Sequence, residues 1–64
     1  MKELLIHQCP DSSMWYSRFV GERVVFIRDT GTEYMSREPA GYLNIVLYSD
    51  ADIVEAVKNY GDDT

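Results

Sequence analysis

Cysteine occurs once in these 64 residues, at Cys9, and histidine once, at His7. One thiol closes no intramolecular disulfide, and one thiol with one imidazole falls short of a tetrahedral metal set, so no disulfide frame and no metal site are expected. With no further histidine and no basic residue beside it in the chain, Cys9 is read as a small buried hydrophobe rather than a nucleophile. Basic residues are also scarce, six against eleven acidic ones, for a net charge of -5. That balance argues against direct nucleic-acid binding, which needs cations to displace counterions. No apolar run approaches the roughly 18 residues of a membrane span. The patch in MKELLIHQCP is too short and interrupted for a secretory signal, so a cytoplasmic location is the expectation. Phosphate-binding glycine loops, serine elbows and Cys–His pairs are absent, and the chain is expected to be neither an enzyme nor a cofactor carrier. At this length folding buries only about 60% of the chain's surface, which leaves no room for both a core and a deep pocket.

What is present is centred on 21–48, GERVVFIRDTGTEYMSREPAGYLNIVLY. Arg23 to Asp29 is β-branched and aromatic, with Val24 and Phe26 on one face and Val25 and Ile27 on the other. An apolar run of this kind predicts a strand covered on both sides where it bends between two layers. Asp29-Thr30-Gly31-Thr32 predicts a tight turn, with Gly31 at positive φ and Asp29 bonded to its own backbone. Glu33 to Arg37 is the partner strand, and Glu38-Pro39-Ala40-Gly41 the second turn. Tyr42 to Tyr48 alternates most clearly: Leu43, Ile45 and Leu47 form the expected core face, and Tyr42, Asn44, Val46 and Tyr48 the outward one.

Around this meander, Lys2 to Gln8 reads as a first strand ended by Cys9-Pro10. Met14 to Val20 forms an apolar connection that has to fold back over the core. Trp15 has two readings, a plug at one end of the core or a platform with Tyr16 beside Tyr34 or Tyr42, and Tyr16 has the same two. After Tyr48 the favoured reading is a helical turn at Asp50–Asp52, a short strand over Ile53–Ala56 and a frayed tail. A helix across Asp50–Tyr60, stopped by Gly61, is the alternative. One domain over 1–57 and a flexible acidic tail over 58–64 are expected.

The Trp15-Tyr16 pair, the Val20-Gly21-Glu22 step, the tyrosine-bearing third strand, Gly41-Tyr42-Leu43-Asn44-Ile45-Val46 and the acidic turn Asp50-Ala51-Asp52 form a pattern that resembles small SH3-like barrels. More narrowly it resembles short proteins of bacteriophages and prophages. The resemblance covers Trp15 to Glu55 and implies an all-β, five-stranded SH3-like barrel with a short helix or helical turn near the C-terminus. It carries no activity. The acidic, tyrosine-rich loop of the peptide-binding members is reduced here to Asp11 and Tyr16, and their late proline-serine-asparagine-tyrosine segment is missing.

The function expected is binding: a small phage- or prophage-type interaction module that binds and modulates, by inhibition, a host protein, one with a basic surface fitting the acidic charge. The partner-binding residues expected are Tyr16, Tyr34, Tyr42, Asn44 and Tyr48, with Asp50 and Asp52 at the rim. Tyr42 and Tyr48 have a second reading as rim cover for a small core. Asp50, Asp52 and Glu55 lack the spacing of a calcium loop and are expected as solvated surface. Two alternatives stand beside the module. One is an acidic mimic that blocks a DNA- or RNA-binding protein; the other is a structural module that self-associates through an edge strand. The oligomeric state is left open.

Overall fold

The computed structural model describes residues 1–56, and the expected tail over 58–64 lies outside them. The described chain is all-β. Its strands are β1 (Lys2–Ile6), β2 (Arg23–Val25), β3 (Arg28–Asp29), β4 (Tyr34–Arg37), β5 (Leu43–Val46) and β6 (Ala51–Glu55). They form two three-stranded antiparallel sheets, in the order β2-β1-β6 and β3-β4-β5, and the ladders do not close into a barrel.

The expected central strand is present in two pieces, one for each sheet. The chain leaves the first ladder at Phe26 and rejoins the second where the Ile27 amide donates to the Met35 carbonyl at 2.9 Å. Ser36 Oγ donates to the Val25 carbonyl at 2.5 Å and satisfies a backbone acceptor freed by the bend. Val24 and Phe26 pack against the core while Val25 and Ile27 are exposed, so this strand is covered on one side only.

Both turns follow from their residues. Gly31 has φ 100° and donates its amide to Asp29 Oδ1 at 2.8 Å, and Thr30 N–H closes the turn on the Glu33 carbonyl at 2.9 Å. Gly41, at φ 104°, ends the second turn, braced by Arg37 Nη1 on the Gly41 carbonyl at 2.9 Å. The long connection after β1 is tied back at its far end, where Gly21 N–H meets the Ile6 carbonyl at 2.7 Å and Ile6 N–H meets the Glu22 carbonyl at 3.0 Å. Between those ties Ser17–Phe19 makes one 3-10 turn.

The core is small: Leu4 and Ile6 of β1, Tyr16 of the loop, Val46 of β5 and Ala51 of β6. Cys9, Met14, Trp15, Phe19, Val24, Phe26 and Tyr34 pack around it. Two expectations are corrected. In β5 the facing is reversed: Val46 is fully buried, whereas Leu43 is 57% and Leu47 40% exposed. The last segment is extended over Ala51–Glu55, so the helix expected as an alternative from Asp50 is not formed there. The helical turn lies two residues earlier than expected, at Tyr48–Asp50.

Candidate functional site

Two of the expected contact residues lie inside the molecule. Tyr16 has no exposed surface and Asp50 only 2%. The Tyr16 hydroxyl donates to Asp50 Oδ2, while Gln8 Nε2 at 3.0 Å and Ser49 Oγ at 3.2 Å donate to Oδ1. The Asp50 carbonyl accepts from His7 N–H at 2.9 Å. Burial pushes the Asp50 carboxyl up, but the hydrogen bonds from Tyr16, Gln8 and Ser49, with His7 nearby, outweigh it and hold the group below its ordinary range. Burial first, then the bond to Asp50, pushes the Tyr16 hydroxyl well above its own. The pair is a joint that fastens the long loop to the end of β5. Neither side chain meets solvent, so neither contributes contact surface to a partner.

The same loop protects a sheet edge. β5 is an outer strand of its sheet, and the parity of its ladder turns the Ile45 and Leu47 backbone groups outward. Trp15 Nε1 donates to the Ile45 carbonyl at 2.8 Å, Leu47 N–H donates to the Tyr16 hydroxyl at 3.3 Å, and Asn44 Oδ1 accepts from Ile45 N–H at 2.8 Å. Trp15 therefore acts as a cover, packed edge-on to Tyr16 at 5.6 Å and tilted against Phe19 at 6.1 Å. The capped edge is a poor template for adding another strand.

The remaining expected residues do not form one patch. Tyr34 and Tyr48 meet edge to face at 4.8 Å, with Phe26 against Tyr34 at 6.0 Å. The Tyr48 hydroxyl donates to Asp29, which pushes the phenol up to about 12, and together with the Gly31 amide it holds the Asp29 carboxyl below its ordinary range. Tyr42 is 72% exposed at the opposite end of β5. Asn44 is half-buried and donates Nδ2 to Glu38 Oε2 at 2.7 Å, which braces the second turn. Asp52 is exposed on β6, 3.9 Å from His7 Nε2.

The surface that stands out was missed because its strand was read the wrong way round. With Ser36 and Val46 fully buried, the opposite face of the β3-β4-β5 sheet carries Arg28, Met35, Arg37, Leu43 and Ile45. Leu47 continues this row one step beyond β5. The Leu43/Ile45/Leu47 alternation was the legible signal; Arg28 and Met35 join it only through register, since they are paired in the β3–β4 ladder.

An open groove of about 410 Å³ shares Arg37 with this face and is otherwise lined by Trp15, Phe19, Val24, Val25 and Pro39 with Glu3, Arg23 and Glu38. Its two carboxylates are engaged, Glu3 with Arg23 Nη1 at 3.4 Å and Glu38 with Asn44. Cys9 is half-buried and donates Sγ–H to the Asp11 carbonyl at 3.1 Å; burial is the first of the effects that raise its thiol pKa. Among the described residues no group of three or more His, Cys, Asp or Glu side chains is placed to hold a metal, and no helix is long and apolar enough to cross a membrane. In comparisons with protein-family models, with curated proteins and with solved structures, nothing matches this chain.

Proposed function

We propose that the chain is a small protein-interaction module of the phage or prophage type, built on an SH3-like barrel plan, that binds and inhibits a host protein in the bacterial cytoplasm. The order of the elements supports the plan: a first strand, a long folded-back loop, a three-stranded meander broken by one bend, an acidic turn and a last strand paired to the first. With β2 and β3 counted as one bent strand, the plan has five. The observation that carries the binding reading is the outer face of Met35, Leu43, Ile45 and Leu47, on which Leu43 and Leu47 are exposed and Met35 and Ile45 half-buried. A chain with so small a core gains stability from each large side chain it buries, and this one leaves Leu43 57% exposed. Apolar groups left together on a surface mark an interaction site.

The acidic-mimic alternative finds less support, because the carboxylates already have tasks inside the molecule. Glu55 pairs with Lys2 and the N-terminus, Glu3 with Arg23; Asp11, Asp29 and Glu33 bond their own turns; Asp50 is buried.

Tagged wild-type chain and Leu43→Asp, captured against a bacterial lysate at low and high salt and read by mass spectrometry, test the reading. The wild type is expected to retain one stoichiometric protein through high salt. Leu43→Asp is expected to lose it with an unchanged circular-dichroism spectrum. Identical capture by both chains would overturn the assignment of this face. Recovery of nucleic-acid-binding proteins alone, released by salt, would favour mimicry.

A further inference from the structure

The charge around this face differs from that of the chain as a whole. The protein carries eleven acidic and six basic residues, yet the strand residues on the outer face of β3-β4-β5 include two arginines and no carboxylate, and Glu33, just before β4, is bonded by Thr30 and Thr32. Arg28 stands opposite Met35, and Arg37 opposite Leu43, so Met35 neighbours both cations and Leu43 and Ile45 lie beside them on β5. Among the described residues neither arginine has an ion-pair partner, whereas Lys2, Arg23 and the N-terminus do. In a chain with carboxylates in excess, two cations without an ion-pair partner on the β3–β4 side of exposed Leu43 and half-buried Ile45 leave both halves of an interface unfilled.

We propose that this face docks an acidic amphipathic helical segment of the protein partner, with an apolar stripe on the sheet and carboxylates reaching Arg28 and Arg37. This deepens the module reading and rests on it. The dimensions agree: four residues of β5 span about 13 Å and the outer strands lie about 10 Å apart, the footprint of two turns of helix. Such a segment presents its anchors at i, i+3, i+4 and i+7. Guanidinium groups suit the carboxylates because they bond them bidentately and remain charged at the rim of an apolar contact. A second copy of this chain fits poorly, since face-to-face docking would set arginine against arginine. An anionic lipid surface also fits poorly: two cations contribute about 1 kcal/mol each, against a chain of net charge -5.

The test uses the full chain, isotopically labelled, and two synthetic helical peptides with the same leucine stripe, one flanked by glutamates and the other by lysines. The glutamate peptide is expected to bind at least tenfold more tightly at low salt, to lose most of that advantage at 0.5 M salt (roughly a 4 Å screening length), and to shift the amides of β4 and β5. Arg28→Glu is expected to reverse the preference; it is chosen because Arg37 also braces the Gly41 turn. Equal or better binding of the lysine peptide, shifts confined to the Tyr34–Tyr48 side or the Trp15 groove, or binding of neither peptide would overturn the proposal. So would dimerisation by light scattering that Leu43→Asp abolishes, or retention on phosphatidylserine vesicles that Arg28→Glu abolishes. The two readings fail separately. If Leu43→Asp abolishes lysate capture while the lysine peptide is preferred, the module stands and its partner's chemistry is different. If Leu43→Asp captures as the wild type does, the module's surface is wrong.

Discussion

On the inner face of the β3-β4-β5 sheet stand Tyr34, Ser36, Asn44 and Val46; on the outer face stand Arg28, Met35, Arg37, Leu43 and Ile45. The inner face carries the uncharged polar side chains, and each of them has a structural partner. Ser36 closes the bend at Val25, Asn44 links Glu38 to the Ile45 amide, and Tyr34 packs against Tyr48 and Phe26. The outer face has Met35, Leu43 and Ile45, of which Leu43 is exposed and the other two are half-buried. A buried polar group is tolerated when its hydrogen bonds are made, so hydrophobicity alone does not decide which face turns inward. Geometry decided here: the strand has to meet the bend at Val25 and the turn at Glu38, and only the polar set satisfies both.

Three measurements break or sharpen this contrast. The largest effect is expected at the buried joint that holds the inner face to the loop. Asp50→Ala removes the acceptor for Tyr16, Gln8 and Ser49 and is expected to cost about 3 kcal/mol in urea unfolding, close to the whole stability of a domain this small. The pH dependence has the matching sign. Asp50 is held below its ordinary range when folded, so its contribution is complete above its unfolded value near 4 and is lost as pH falls through the folded value. Asp29, Glu33 and Glu55 act in the same direction. Asp50→Asn is expected to flatten the acid limb of the stability curve; an unchanged limb would place the dependence on the surface carboxylates.

Next comes the facing itself. Val46→Ala is expected to cost about 2 kcal/mol and Leu43→Ala less than about 0.5, although leucine is the larger side chain. A reversed order would return β5 to the orientation its alternation suggests. The smallest of the three effects is at the capped edge. Trp15→Phe keeps the ring and removes the N–H on the Ile45 carbonyl; a loss of about 1 kcal/mol is expected. Concentration-dependent sedimentation appearing in this variant would show the indole to be the guard of the β5 edge, and its absence would assign that role to Tyr16 and Asn44.

Much of the fold was legible. Both turns carry their glycines where positive φ is required, Asp29 bonds its own turn as its residue type suggests, and the meander between them follows from β-branched runs of the right length. The site was less legible. In the sequence Tyr16 carries both a core and a surface reading, and Asp50 only a surface one, because aspartate is almost never fully buried unless paired. They are 34 residues apart, and only folding brings the hydroxyl onto the carboxylate and allows both to be buried. Arg28 and Met35 showed nothing until register placed them side by side.

The chain by itself determined its all-β class and its two glycine turns, because local backbone preference is encoded residue by residue. The tertiary structure alone decided which side of each strand faces inward, because a strand's alternation marks two faces without saying which will be covered. That choice depends on the partners each face finds across the sandwich. Here the loop's Tyr16, the bend at Val25 and the turn at Glu38 hold the face of Ser36, Asn44 and Val46 inward, and the face of Leu43 is turned outward.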